Sequence, residues 1–455
     1  MTIIGAGPAG LLLARTLARH DPTSVVDVHE RRPAGADAGF GVSLSARTLR
    51  NLAGHDTDLH RRIMDAAVAQ RAIEVRTPTG SVRYEGFEVA AVSRGALLSA
   101  LHDGAVEAGA RVHFGQPVAP GEAEGDVVAV ADGAASAHRE AAGGGFGTSV
   151  RTGKSWFAWL GTPADPGDAA VMAFEETAWG PMALHLYAYA EGKSTAVVEM
   201  DSSTFRRAGW GGAVGEDDLR TLAHVFRGPL GGRPLTGATS RWRRFPVVRN
   251  ERWSAGRTVL LGDAAHTAHF TVGSGTRMAL EDALELGLAL AGEDSAEAAF
   301  ALYEQRRRPE VERLQRWAEP SMLWWETFGR RMRRPVEQFG LHFLTRTPAM
   351  TYDALRRRCP GALRAAELAW KSPGPDTGPA VLVRPELERD GWWHRMLRTA
   401  DEIGDGVPVG IVVPASASDP WPGRITLALI TGRADFVVAR PLSEAQRDRA
   451  VAPER

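Results

Sequence analysis

The chain has 455 residues, with 54 Lys and Arg against 55 Asp and Glu and a net charge of -1. That length holds two or three domains with a full core, and the balanced charge excludes the basic character of a nucleic-acid or anionic-membrane binder. No apolar run nears the ~20 residues of a membrane span, and 44% hydrophobic with 24% charged residues is an ordinary globular composition. The single cysteine, Cys359, excludes an internal disulfide and a cysteine-based zinc site. No basic-then-apolar leader opens the chain, so the expectation is a cytoplasmic protein with no bound metal.

Thr2-Ile3-Ile4 reads as a strand, Gly5-Ala6-Gly7-Pro8-Ala9-Gly10 as a glycine-rich turn, and Leu11 to His20 as a helix. A second strand, Val25 to Glu30, closes a βαβ unit. The first strand is short by two or three residues, which implies a weak edge or a trimmed start. In such a unit Gly5 makes the turn, Gly7 admits a pyrophosphate at the helix N-terminus, and Gly10 permits close packing. Glu30 stands about 20 residues on, where a carboxylate takes the ribose hydroxyls of an adenine dinucleotide. The plain alternative is a non-binding turn with a solvated glutamate.

Further along, 96–108 reads as a helix, 111–118, 126–131 and 258–262 as strands, and 276–291 as a helix. Between them, 150–245 alternates apolar and polar residues, as in Leu184-His185-Leu186-Tyr187-Ala188-Tyr189, and predicts an inserted antiparallel sheet. From 297 to 370 the pattern is helical and basic, with thirteen Arg against six acids between Arg306 and Arg358. A Pro/Gly-rich linker occupies 371–379. The 76 residues from 380 to 455 read as strand (380–383), helix (392–401) and strands (408–413, 435–439), with 425–430 either strand or helix.

Three more elements stand out: Arg94 in Val92-Ser93-Arg94-Gly95, Asp132-Gly133 in Val130-Ala131-Asp132-Gly133, and Gly262-Asp263-Ala264-Ala265-His266. With the glycine turn, this order of GxGxxG, DG and GD motifs resembles the class A flavin-dependent aromatic hydroxylases, the group of para-hydroxybenzoate hydroxylase. The resemblance implies an α/β fold: a Rossmann-like FAD-binding domain (1–75, 92–150 and 246–300) with an inserted antiparallel substrate sheet (76–91 and 151–245), C-terminal helices (301–370) and a short α/β tail. It implies FAD contacts from Gly5, Gly7, Ala9, Gly10, Glu30, Arg31, Phe40, Gly41, Val42, Arg94, Asp132, Gly133, Gly262, Asp263, Gly273, Ser274, Gly275 and Thr276. An arginine such as Arg94 offers a planar fork for phosphate or ribose oxygen, and Asp263 at a strand end accepts from ribityl hydroxyls.

A narrower resemblance runs through Asn250-Glu251-Arg252-Trp253, His266-Thr267-Ala268-His269-Phe270, Glu281-Asp282-Ala283, Arg307-Arg308-Pro309-Glu310-Val311 and Leu344-Thr345-Arg346. These look like salicylyl-CoA 5-hydroxylases and anthraniloyl-CoA monooxygenases. His269-Phe270 stands where the para-hydroxybenzoate branch has a Pro-Pro pair, so that proline's role is not carried over. His269 and Phe270 are expected at the reactive face of the flavin, with His269 orienting or deprotonating a substrate phenol. His266 is expected to be structural. Trp156, Trp159, His185, Tyr187 and Tyr189 are expected to line an aromatic pocket, and Arg330, Arg331, Arg333 and Arg334 to meet the phosphates of a CoA moiety, although charge runs on helices are more often solvated faces.

The resemblance implies NADH or NADPH as reductant and O2 delivered to the ring through a flavin C4a-hydroperoxide. The aromatic substrate is expected to be a small molecule, first of all a CoA thioester such as salicylyl-CoA; an indole, or flavin binding without turnover, are the alternatives. A homodimer is compatible with the sequence. The stretch Thr431 to Pro441 looks like the end of the old-yellow-enzyme barrel fused to some anthraniloyl-CoA monooxygenases, and ~250 residues are typical of such a barrel, so the tail reads as a shortened remnant.

Overall fold

The computed structural model describes residues 1–36, 39–237, 240–273, 275–347, 350 and 352–371, together with the strands Leu382–Val383, Leu397–Arg398, Gly410–Ala415 and Phe436–Pro441. Those four strands form a parallel sheet. Leu397–Arg398 is strand where a helix was expected. The linker from 372, the remainder of 392–401 and the element at 425–430 lie outside the described residues. Among the described residues no helix is long and apolar enough to cross a membrane.

The first sheet has the order Ser254–Ala255, Thr258–Leu260, Val128–Val130, Thr2–Ile4, Asp27–Glu30, Arg111–Phe114. Thr2–Ile4 pairs in parallel with both neighbours. It is therefore a central strand, not the weak edge its length suggested, and flanking hydrogen bonds on both sides compensate for the three-residue span. Helix Pro8–His20 covers this sheet through Leu11, Leu12, Leu13 and Leu17, all buried. Helix Gly275–Gly292 lies against it so closely that a Cβ on Gly287 would meet Thr16 at 2.7 Å. The C-terminal ends of three adjacent parallel strands carry Gly5, Asp132 and Gly262, the edge of an open α/β sheet where ligands bind.

The second sheet has the order Arg243–Asn250, Thr148–Thr162, Lys193–Met200, Gly180–Ala190, Ala169–Thr177, Ala67–Thr77, Gly80–Ser93, Gly41–Ser45. It recruits 41–45 and 67–75, which the sequence reading left with the nucleotide domain. Gly41–Ser45 pairs antiparallel with Val89–Ser93, a partnership across nearly 50 residues that local alternation does not reveal. Both faces of the sheet are buried. One packs Leu160, Leu184, Leu186, Ala196 and Val198 against Phe205, Leu222 and Phe226; the other packs Val75, Phe174 and Ala183 against Trp324, Trp325, Phe328 and Phe339. The long helix Ala296–Trp325, which continues through Pro309 and Pro320, thus runs from the first sheet to the second face of the other.

Candidate active site

Gly5, at φ +104°, takes a conformation that disfavours side chains, and a Cβ there would stand 2.5 Å from Ala131 O. At Gly10 a Cβ would overlap Gly5 O, whereas one at Gly7 would meet nothing within 4 Å. Gly7 also caps helix Pro8–His20 without a side-chain bond, leaving the helix amides directed at open space, an arrangement suited to an anion. Glu30 fixes the turn: its carboxylate accepts from Ala6 N and Arg32 N, each at 3.0 Å. Arg31 is exposed beside it.

Asp132 follows the strand Val128–Val130 and reaches His138 Nδ1 at 3.0 Å. Burial alone would raise its carboxyl; hydrogen bonds from His138 and Ser136 hold it below the usual range. Its Oδ1 and His138 Nε2 are buried without a partner among the described residues. Gly133 follows at φ +94°. Arg139 joins this turn to the next motif, donating to Ala264 O at 2.8 Å and Ala134 O at 2.7 Å.

Asp263 is solvent-accessible, yet protein surrounds it closely enough that desolvation raises its carboxyl, against the pull of His266 and Arg94. We read an accessible group enclosed in this way as one that lines a cavity. Gly262, at φ +60°, abuts Ala9: a Cβ there would lie 3.2 Å from Ala9 Cβ. Ala9 and Gly262 therefore bring the two turns together by packing. Gly273 (φ +62°), Gly275 and Thr276 open helix Gly275–Gly292 next to Ser43; Ser274 lies outside the described residues. These features fit a dinucleotide cofactor: the amides after Gly7 would hold its pyrophosphate, Glu30 its ribose, and Arg94, Asp263 and the Gly273–Thr276 turn its other half.

An aromatic wall on the second sheet follows from strand register. Phe157 stands opposite Glu199, and Trp159 and His185 both stand opposite Val197, so these side chains share one face. Phe270 lies over them, 4.8 Å from the Phe157 ring and 5.9 Å from those of Trp159 and His185. His269 stacks on Phe270 at 4.5 Å. Its Nδ1 is 2.8 Å from Thr271 Oγ1, and burial, with His185 and Arg346 nearby, pushes the imidazole down to about 3. A neutral ring held this way orients a neighbour but is a weak proton acceptor at pH 7, which favours the orienting role over the deprotonating one among the two expected of His269.

Three other expectations change. Trp156 pairs with Met200 and stacks on Phe205 at 4.1 Å, on the sheet face away from Phe270. Tyr187 OH donates to Gly41 O at 2.9 Å, and the Tyr189 ring fills the space a Cβ on Gly41 would need; both tyrosines secure the strand Gly41–Ser45 instead of meeting a ring. Phe40 likewise packs against Gly161, while its carbonyl accepts from Arg94 N at 3.0 Å, and Val42 pairs with Val92. Arg331 is buried and donates to Thr327 at 3.3 Å, so it is turned away from solvent phosphate. Arg330 and Arg333 are exposed and Arg334 half-buried, at the far end of the sheet, where Thr79 Oγ1 reaches Arg334 O at 3.0 Å.

The sequence reading missed Glu199, Thr271 and Ser321, and gave no role to Arg346 although its motif was noted. Arg346 donates to Ser321 Oγ, Phe343 O and Thr271 O at 2.9, 2.7 and 2.8 Å, and burial lowers its guanidinium to about 9 against the opposing charge of Glu199. For Glu199 a signal existed: in Lys193–Met200 it shares a face with Thr195 and Val197, an inward position for a carboxylate. For Ser321 and Arg346 the sequence offers no spacing that would bring them to Thr271.

A nucleotide sheet whose glycine turn opens on a cavity, joined to an antiparallel sheet bearing an aromatic wall, defines an FAD-dependent monooxygenase of the aromatic hydroxylase type. The chain belongs to the FAD binding domain family, whose profile matches residues 1–318. It is 40% identical over 358 residues to salicyloyl-CoA 5-hydroxylase of Streptomyces sp, covering 76% of this chain and 69% of that one. It is 33% identical to 3-hydroxy-4-methyl-anthranilyl-(aryl-carrier protein) 5-monooxygenase of Streptosporangium sibiricum, covering 84% and 98%. The solved structure of 2-methyl-3-hydroxypyridine-5-carboxylic acid oxygenase superimposes with a TM-score of 0.60 at 20% identity, covering 75% of this chain and 96% of that one, a likeness of fold.

Proposed function

We propose that this enzyme hydroxylates an electron-rich aromatic ring presented as a thioester, with salicylyl-CoA the first substrate to test and NADH or NADPH the reductant. The observation that carries the reading is the continuous aromatic surface that Phe270 forms with Phe157, Trp159 and His185, against which a flat ring can stack. Two relatives named for acyl groups on CoA or on an aryl-carrier protein support the thioester. Bound FAD supplies electron transfer and oxygen transfer from O2. The chain's residues stack the ring, exclude water and orient the ring substituent. Exposed Arg330 and Arg333 are the candidates for phosphate contact at the sheet's far end.

The test is NADH and NADPH oxidation with product detection across salicylyl-CoA, anthraniloyl-CoA, their free acids and tryptophan-derived indoles. Thioester-dependent oxidation with a hydroxylated product is expected. Stimulation by indoles or free acids alone would overturn the thioester assignment.

A further inference from the structure

Glu199 has no exposed surface, and neither carboxylate oxygen has a hydrogen-bond partner among the described residues. Leaving such a group unsatisfied costs free energy, so its presence on the pocket face calls for a reason. Its Oε2 lies 3.4 Å from His185 Nε2 and its Oε1 3.9 Å from His269 Nε2. Ser155 Oγ, also buried and unpartnered, stands on the same face two residues before Phe157. The groups that face this carboxylate are therefore His185 from its neighbouring strand, Ser155 from the strand on its other side, His269 from the turn before Phe270, and Arg346 from the helix end beyond.

The two histidines are not equivalent. His269 is engaged through Nδ1 by Thr271, whereas His185 is stacked on Trp325 at 4.4 Å and faces Phe270 with Nε2 turned to Glu199. That leaves His185 Nδ1 as the nitrogen directed away from the carboxylate. A carboxylate behind one nitrogen of an imidazole fixes the tautomer with the proton on that side and stabilises the imidazolium when the other nitrogen takes a proton.

We infer that Glu199 is a positioning residue that holds His185 with Nε2 protonated, so that His185 Nδ1 accepts the proton of a hydroxyl on the bound ring. The step is a proton transfer alone: the O–H bond of the ring hydroxyl breaks, an N–H bond forms at Nδ1, the oxygen keeps the electron pair, and the imidazolium is paired with the Glu199 carboxylate. The ring gains electron density just where an electrophilic oxygen transfer needs it. Burial raises the Glu199 carboxyl, with His185, Ser155 and Arg346 opposing, so removal of the substrate proton and the charge on Glu199 are coupled. This inference rests on the proposed ring hydroxylation and assigns its proton acceptor.

The experiment uses the FAD-loaded protein without reductant and 5-fluorosalicylyl-CoA as probe, whose fluorine lies para to the ring hydroxyl and reports its ionisation by fluorine NMR. The hydroxyl of the bound probe is titrated between about pH 6 and 9, the range where an imidazole changes charge, in wild type, Glu199→Gln and His185→Asn. Glu199→Gln is isosteric and removes the buried ionisable group. Its ionisation midpoint is expected to rise by about one pH unit, a tenfold change, with His185→Asn giving a similar rise and Glu199→Asp a smaller one. In turnover, kcat should fall in parallel while KM changes less than about twofold, as for an interaction made after binding. Equal midpoints in wild type and Glu199→Gln would overturn the inference. Failure of wild type to bind the probe would instead count against the thioester reading. The pair is then judged from nitrogen-15 histidine spectra of the same holoprotein, where a His185 tautomer unchanged by Glu199→Gln would overturn it.

Discussion

Gly262 N donates to Asp282 Oδ2 at 3.1 Å, so the turn that presents Asp263 hangs from the helix Gly275–Gly292. The other Asp282 oxygen accepts from Arg307 Nε at 2.9 Å, and His266 Nε2 lies 2.8 Å from Oδ2. Arg307 also pairs with Glu281 at 3.0 Å and Glu310 at 3.2 Å. Two sequence motifs, Glu281-Asp282 and Arg307-Arg308-Pro309-Glu310, thereby form one buried frame beneath the turn at Asp263.

Removing one partner of a buried ion pair strands the other charge and costs about 3–5 kcal/mol. Arg307→Met is therefore expected to lower the urea midpoint by a matching amount and to release flavin during purification. Arg306, exposed and paired with Glu285 at 3.3 Å, is the control: Arg306→Met should stay within about 0.5 kcal/mol of wild type. Urea unfolding followed by tryptophan fluorescence, with flavin absorbance before unfolding, reads both.

The glycine turn separates packing from binding. A Cβ at Gly7 meets no protein atom within 4 Å, whereas one at Gly10 overlaps Gly5 O. Gly7→Leu should melt like the flavin-free wild-type protein yet purify colourless, because its side chain enters the space for the pyrophosphate. Gly10→Ala should lose stability with or without FAD. A Gly7→Leu protein carrying stoichiometric FAD would show that the cofactor does not pass this turn.

His269 sets a pH dependence of stability. Its folded imidazole titrates at about 3, below the ~6.5 of an unfolded chain, so between those values the unfolded state binds more protons. Stability contributed by this group is complete above about pH 6.5 and falls on acidification by at most about 1.4 kcal/mol per pH unit. Glu199, raised by burial, works in the opposite sense and is present in both proteins compared. His269→Gln should therefore flatten the slope of unfolding free energy between about pH 6.5 and 5, and urea titrations of the two proteins at several pH values measure it.

Much of the cofactor side was legible because each residue there acts through local backbone geometry. Gly5, Gly7, Gly10 and Glu30 fall within one βαβ unit, and the turn from Gly262 follows its strand directly. The aromatic side was less so. His185 was found from alternation, but Glu199 comes to it from the next strand, and Thr271, Ser321 and Arg346 meet only through the packing of three separate segments. Tyr187 and Tyr189 were placed on the correct face, yet their partner, Gly41, arrives from a strand nearly 150 residues earlier, which no local pattern announces.

Trp156 and Trp159 show how strand period decides such assignments. Three residues apart on the strand Thr148–Thr162, they must point to opposite faces; Trp159 looks toward Phe270 at 5.9 Å, while Trp156 stacks on Phe205 and lies under Arg244 at 5.4 Å. Trp156→Ala opens a gap between sheet and helix Ser202–Arg207 and, because Trp156 is half-buried, should cost less than the ~3–5 kcal/mol of a fully buried tryptophan, with KM for the aromatic substrate nearly unchanged. Trp159→Ala should do the reverse, leaving the urea midpoint closer to wild type and raising KM severalfold through loss of ring contact. Steady-state kinetics and urea unfolding on the two variants decide the matter: a KM effect confined to Trp156→Ala would place the ring-binding surface on the opposite face of the sheet.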